Sequence, residues 1–151
     1  MKPLIVLISV FAALLIADKL FSGKWNTDFS GNTAMSVMLA FTATGHFLYS
    51  KGMIRMLPSS LPFKKEIILL TGIIEIAAAS GLLIPAIRQL TAWLLIVFLV
   101  ALLPANILSA KNAIDYQKAD SQGPGLNYLW FRVPLQIFFI AWVAYFGIFR
   151  S

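Results

Sequence analysis

The sequence predicts an all-α fold, a polytopic membrane helix bundle forming a single domain over residues 1–151. Three observations predict it. Charged residues make up 12% of the chain and hydrophobic ones 60%, so the charged share is about half that of a soluble domain. The apolar residues gather in long runs, and a run of about 20 can cross a bilayer as a helix. The 12 Lys and Arg residues stand at or between the ends of those runs, the pattern that sets membrane topology.

Five spans are expected, at residues 3–20, 33–50, 67–87, 90–110 and 133–149. The first opens after Lys2 and resembles a signal peptide. Cleavage after Ala17 would put Leu15 three residues before the cut, where a small side chain is wanted, so the run is expected to be retained. The second span is the weakest, because Ser, Thr, Gly and His dilute it. The other three are strongly apolar, although at 1.5 Å per residue the shortest barely crosses a hydrocarbon core of about 30 Å.

The intervening segments read as loops. Residues 22–32 are polar, with Trp25 and Phe29 expected at the membrane interface. Residues 56–63 contain Pro58 and Pro62 and are not expected to continue a helix. Residues 111–131 are the longest connection. They carry a turn signal at Gly123-Pro124-Gly125 and place Tyr128 and Trp130 in the aromatic belt before the last span.

With five spans, one side receives Lys2, Lys51, Arg55, Lys64, Lys65, Lys111, Lys118 and Arg132. The other receives Lys19, Lys24, Arg88 and Arg150. The bias predicts a cytoplasmic N-terminus and an external C-terminus.

Composition also excludes chemistry. There is no cysteine, so thiolate ligands and nucleophiles are ruled out within the chain. One histidine and two glutamates are too few for a metal site, and none is expected. The net charge of +6 comes without a basic face interleaved with aromatics, so nucleic acid is not an expected partner. The expected surroundings are the lipid bilayer.

Glu75 is the residue that asks for an explanation. It lies inside an apolar run, where a carboxylate costs about 2.5–3.5 kcal/mol on insertion scales. Such a group must face the protein interior and find a partner. Its helical neighbours Thr71, Gly72, Ala78 and Ala79 are small, which lets another helix approach closely. The other spans after the first also hold unusual polar positions: His46 in the second, Asn106 just after Pro104 in the fourth, and Arg132 with Gln136 opening the fifth. Counted along the helices, all lie toward the cytoplasmic half, so a shared polar site is expected. Pro104 removes the amide that would serve the Val100 carbonyl, which leaves an acceptor beside Asn106. The same residues allow a structural reading, in which each pins two helices together.

Several stretches together resemble one family: the segment 56–62 with its two prolines, Gly72-Ile73-Ile74-Glu75, Gly81-Leu82-Leu83-Ile84-Pro85, Pro104-Ala105-Asn106 and Arg132-Val133-Pro134-Leu135-Gln136, preceded by Gly45-His46-Phe47. In order and spacing they resemble the DoxX-like family of small bacterial integral membrane proteins, over roughly residues 40–145. The resemblance implies a four-helix membrane core in the bacterial inner membrane, to which this chain adds an N-terminal transmembrane helix. It also implies a link to thiosulfate oxidation with quinone as acceptor, or to membrane redox homeostasis. A distant animal relative acts in receptor assembly.

Three functions are therefore expected to compete. The first is a redox-associated protein binding a quinone-like or other lipophilic molecule, with His46 and Glu75 relaying protons and Asn106, Arg132 or Gln136 bonding the ring oxygens. Without cysteine, and with one histidine, iron–sulfur and bis-histidine haem ligation are excluded, so electrons must come from a partner redox subunit or a substrate. The second is an assembly or scaffolding protein with a structural polar cluster. The third is a small transporter or proton pathway, which without inverted repeats would need a homo-oligomer.

Overall fold

A computed structural model describes residues 2–113 and 125–150, apart from the side chain of Tyr128. Among these residues the chain is all-α: α1 (Lys2–Ser22), α2 (Thr27–Leu48), the short α3 (Ser50–Ile54), α4 (Lys64–Leu83), α5 (Pro85–Lys111) and α6 (Leu129–Ala144). A 3-10 turn (Gly125–Tyr128) precedes α6, and a π turn (Tyr145–Phe149) follows it. The contributions expected from Lys118, Gly123, Pro124 and the Tyr128 side chain lie outside the described residues.

The four helices α2, α4, α5 and α6 form the core, each antiparallel to its neighbour in the chain, and α1 lies against the outside of α2. The buried positions follow helical spacing. On α4 they include Ile68, Gly72, Glu75, Ala79 and Leu82, on α5 Ala92, Leu95 and Leu99, and on α6 and its π turn Gln136, Phe139, Val143 and Phe146. Steps of three and four keep these residues on one face. The opposite faces expose large apolar side chains, such as Leu90, Trp93, Leu94 and Val97 on α5, as a lipid-facing surface requires. The protein is thus a membrane-type helical bundle.

Four helical stretches are long and apolar enough to cross a membrane: α1, α4, α5 and the stretch from Gly125 to Phe149. The helix α2 is not among them, yet its 22 residues measure about 33 Å. Its low hydropathy has a structural cause. Ser30, Asn32 and Ser36 are buried in the protein rather than turned to lipid, because α2 is the helix enclosed by the others.

Helix ends depart from the expected spans where local chemistry overrides hydropathy. Asn26 caps α2 by accepting the Phe29 amide at 3.2 Å, so the helix starts at Thr27 rather than near residue 33. The expected span 67–87 runs into the next helix. Ile84 is extended (φ −94°, ψ 109°) and Pro85 opens α5. A residue before proline is pushed out of the helical region, while proline fits the first helical position.

The bundle has two chemically distinct ends. One gathers Lys2, Lys51, Arg55, Lys64, Lys65, Lys111 and Arg132; this is the basic end. At the other, the Arg150 Nε lies 2.6 Å from the Asp28 Oδ1. The Tyr145 hydroxyl and the Asp28 carboxylate hold the Arg150 guanidinium above its ordinary range. Beside this ion pair the helix register changes. The Arg150 amide bonds the Tyr145 carbonyl, five residues back, so the Phe146 carbonyl turns to the Asn32 Nδ2 at 2.9 Å. Gly31 allows this contact, since a Cβ there would stand 2.5 Å from the Phe146 ring.

Gly31→Ala should therefore lower stability by about 1–3 kcal/mol, measured by thermal unfolding in detergent. Val37→Ala, on the exposed face of the same helix, should change it by less than about 0.5 kcal/mol.

Candidate functional site

Burial of Glu75 follows from where α4 meets α2. Thr71, Gly72 and Glu75 lie on the face of α4 that packs against the last turns of α2. A Cβ on Gly72 would stand 2.9 Å from the His46 Cβ and 3.2 Å from the Phe47 ring. The missing side chain is what brings the two backbones close enough for the polar groups to meet.

They meet as a chain. The His46 Nε2 lies 3.4 Å from the Glu75 Oε1, with side-chain exposures of 12% and 7%. The other ring nitrogen, Nδ1, is 2.8 Å from the Thr71 Oγ1. The second carboxylate oxygen, Oε2, accepts from the Thr42 hydroxyl at 3.0 Å. Thr42 and Thr71 thus hold the outer atoms of the pair, one from each helix.

Both hydroxyls also reach carbonyls of their own helices, Thr71 the Ile68 oxygen at 2.7 Å and Thr42 the Leu39 oxygen at 3.0 Å. A hydroxyl has one hydrogen, so each threonine divides it between its own backbone and the pair, and the His46 tautomer sets whether Thr71 donates to Nδ1 or accepts from it. Imidazole and carboxyl groups each take up and release a proton in general acid–base chemistry, and this bundle brings one of each together away from water.

Asn106 and Gln136 form a second pair, joining α5 to α6. The Asn106 Nδ2 donates to the Gln136 Oε1 at 2.9 Å, and the Gln136 Nε2 donates to the Leu99 carbonyl. Pro104 sits in the intervening turn of α5. Its ring crowds the preceding turn of the helix, and the carbonyl that Gln136 takes is Leu99, one residue before the expected Val100. Arg132 stands one helical turn before Gln136 on α6 and is half-buried. The partners of Glu75 are His46 and Thr42.

The expected site residues thus form two interhelical pairs at similar depth. Thr71 is seven residues into α4 from Lys64, Gln136 seven into α6 from Leu129, and Asn106 five from the end of α5. These distances are about 8–11 Å along the helices. The bonds of the first pair stay between α2 and α4, and those of the second between α5 and α6.

A third polar group was missed by the sequence reading. Asn32 donates to the Asp28 and Phe146 carbonyls, both at 2.9 Å, Ser36 donates to the Asn32 carbonyl, and the Trp142 Nε1 donates to the Gly31 carbonyl at 3.1 Å. The signal was present: Asp28, Asn32 and Ser36 recur every four residues, on one face of a helix.

Gln136→Leu removes two interhelical bonds, one of them buried, and should destabilise by about 1–3 kcal/mol, read by thermal unfolding in detergent. Gly72→Ala should separate α2 from α4, at a cost of about 1–3 kcal/mol, and should alter the environment of the only histidine.

Neither curated proteins nor solved structures yield a match to this chain. A family match covers residues 35–146, from the middle of α2 into the π turn. It takes in both interhelical pairs and leaves α1 outside. Over that stretch the match is to the domain of unknown function DUF8561, and the chain belongs to that family.

Proposed function

We propose that this protein lies in the bacterial inner membrane with its basic end in the cytoplasm, crosses the bilayer five times, and binds a quinone-like or similarly flat lipophilic molecule. In this reading the His46–Glu75 pair supplies and recovers a proton for the ligand. The observation that carries the reading is the imidazole of His46 set 3.4 Å from the Glu75 carboxyl group inside an apolar bundle. A quinone takes up two protons and two electrons on reduction. A pair that hands over one proton and regains it from the basic end meets the proton half of that requirement. The electrons come from a partner redox subunit or a reduced substrate, since the chain has no cysteine and one histidine.

Two further features support the reading. An apolar groove of about 310 Å³ lies between Leu4 of α1 and Trp130, Phe131, Pro134, Leu135 and Phe138 of α6, and flat lipophiles favour aromatic-lined surfaces of this kind. The resemblance of the motif order to DoxX-like proteins points to quinone-linked chemistry as well. The orientation follows from the excess of Lys and Arg at the basic end.

A structural reading is favoured by one observation, the closure of Asn106 and Gln136 on each other and on the Leu99 carbonyl. In that reading the protein is a scaffold and both pairs only register helices.

The test is mass spectrometry of lipid extracts from the purified protein. Quinone should co-purify with the wild type, and its ratio to protein should fall at least about tenfold in Glu75→Gln. Absence of quinone from the wild type, together with failure to load it in quinone-supplemented bilayers, would overturn the proposal. A Glu75→Gln protein that keeps its quinone but loses a co-purifying subunit would favour the scaffold.

A further inference from the structure

A second groove, of about 550 Å³, opens at the basic end where the chain leaves α3, enters α4 and leaves α5. Its polar lining is Arg55, Ser59, Lys64 and Asn112. Ile54, Leu57 and Leu108 give it an apolar wall. We propose that this groove binds the phosphate headgroup of an anionic glycerophospholipid, a role separate from the ligand and proton site.

Charge is the first argument. Arg55 and Lys64 come from different elements and converge on one groove, and neither has an ion-pair partner among the described residues. Two cations that share a groove repel each other, and an anion between them relieves the repulsion. The backbone adds to the same field. Phe63 adopts a left-handed conformation (φ 52°) at the start of α4 and gives the helix no side-chain cap. The first turn of α4, where the helix dipole is positive, thus adjoins the groove that Lys64 lines.

The lining distinguishes a lipid from a free ion. A phosphate ion needs neither an apolar wall nor a space of this size. A phospholipid needs both, because its glycerol and first methylenes continue from the headgroup along Leu57 and Leu108. The position also fits: the groove lies at the rim of a membrane bundle, beside Lys51, Lys65 and Lys111. Basic pockets at this level are a recurrent means of holding anionic headgroups.

The experiment is a lipid titration of the full-length protein in detergent, followed by native mass spectrometry. Wild type should bind phosphatidylglycerol in preference to phosphatidylcholine. At about fivefold per lost cation, Arg55→Gln/Lys64→Gln should weaken phosphatidylglycerol binding about twenty-five-fold. Lys24→Gln, at the opposite end, should leave it unchanged. Should the double variant not fold, Arg55→Gln alone, at an exposed position, should still lose about fivefold. Unchanged phosphatidylglycerol binding in either Arg55 variant would overturn the proposal. So would inorganic phosphate competing with an affinity equal to that of the lipid, which would mark a free-anion site. Quinone content plays no part in this readout, so the lipid site can fail or stand independently of the function proposed above.

Discussion

Glu75 cannot be turned to lipid, and the rest of the bundle is arranged around that constraint. Its carboxyl group needs a partner of opposite or shared charge inside the protein, at a depth where water does not supply one. The chain meets the need with its only histidine, held by Thr71 on one side and facing Glu75 on the other. Gly72 provides the close approach. Toward its other end the helix that carries His46 buries Ser30, Asn32 and Ser36, which makes α2 the most polar of the long helices and the most enclosed. The outer helix α1 then serves mainly to cover α2, with Leu7 fully buried and Phe11 against Trp142 and Phe146.

The same rule governs the backbone. At two irregularities, the proline turn in α5 and the π turn at the end of the chain, a side-chain amide from another helix bonds a backbone carbonyl: Gln136 reaches Leu99, and Asn32 reaches Phe146. The π turn itself frees the Phe146 carbonyl for Asn32, whereas Pro104 removes the donor to Val100 and Gln136 bonds the carbonyl beside it. Inside a bilayer an unserved carbonyl has no water to fall back on. These amides therefore belong to the architecture as much as to any site. The His46–Glu75 pair differs from them because it joins two groups that can each carry a proton.

Much of this was legible from residue types. A lone carboxylate in an apolar run required burial and a partner, and the small neighbours of Glu75 marked the face of close approach. The bundle itself followed from the lengths of the runs. What the chain does not display is pairing: nothing in the local sequence sets His46 against Glu75 rather than Arg132 against Glu75, because that choice depends on how α2 and α4 slide past each other. Hydropathy also misled at two boundaries. It joined residues 85–87 to the preceding helix, although a proline after an extended residue marks the start of a new one. It discounted the first turns of α2, whose Asp28, Asn32 and Ser36 look like loop polarity until they are seen as one helical face. The π turn has no periodic signature and could not be read from spacing.

Because the chain has a single histidine, nitrogen-15 labelling of histidine gives a spectrum of His46 alone. Solid-state NMR of the protein in bilayers therefore tests the pairing directly. Contacts of Nε2 with Glu75 and of Nδ1 with Thr71 predict that Glu75→Gln shifts mainly the Nε2 signal and Thr71→Val mainly the Nδ1 signal. An Nε2 signal that does not respond to Glu75→Gln would contradict the pairing.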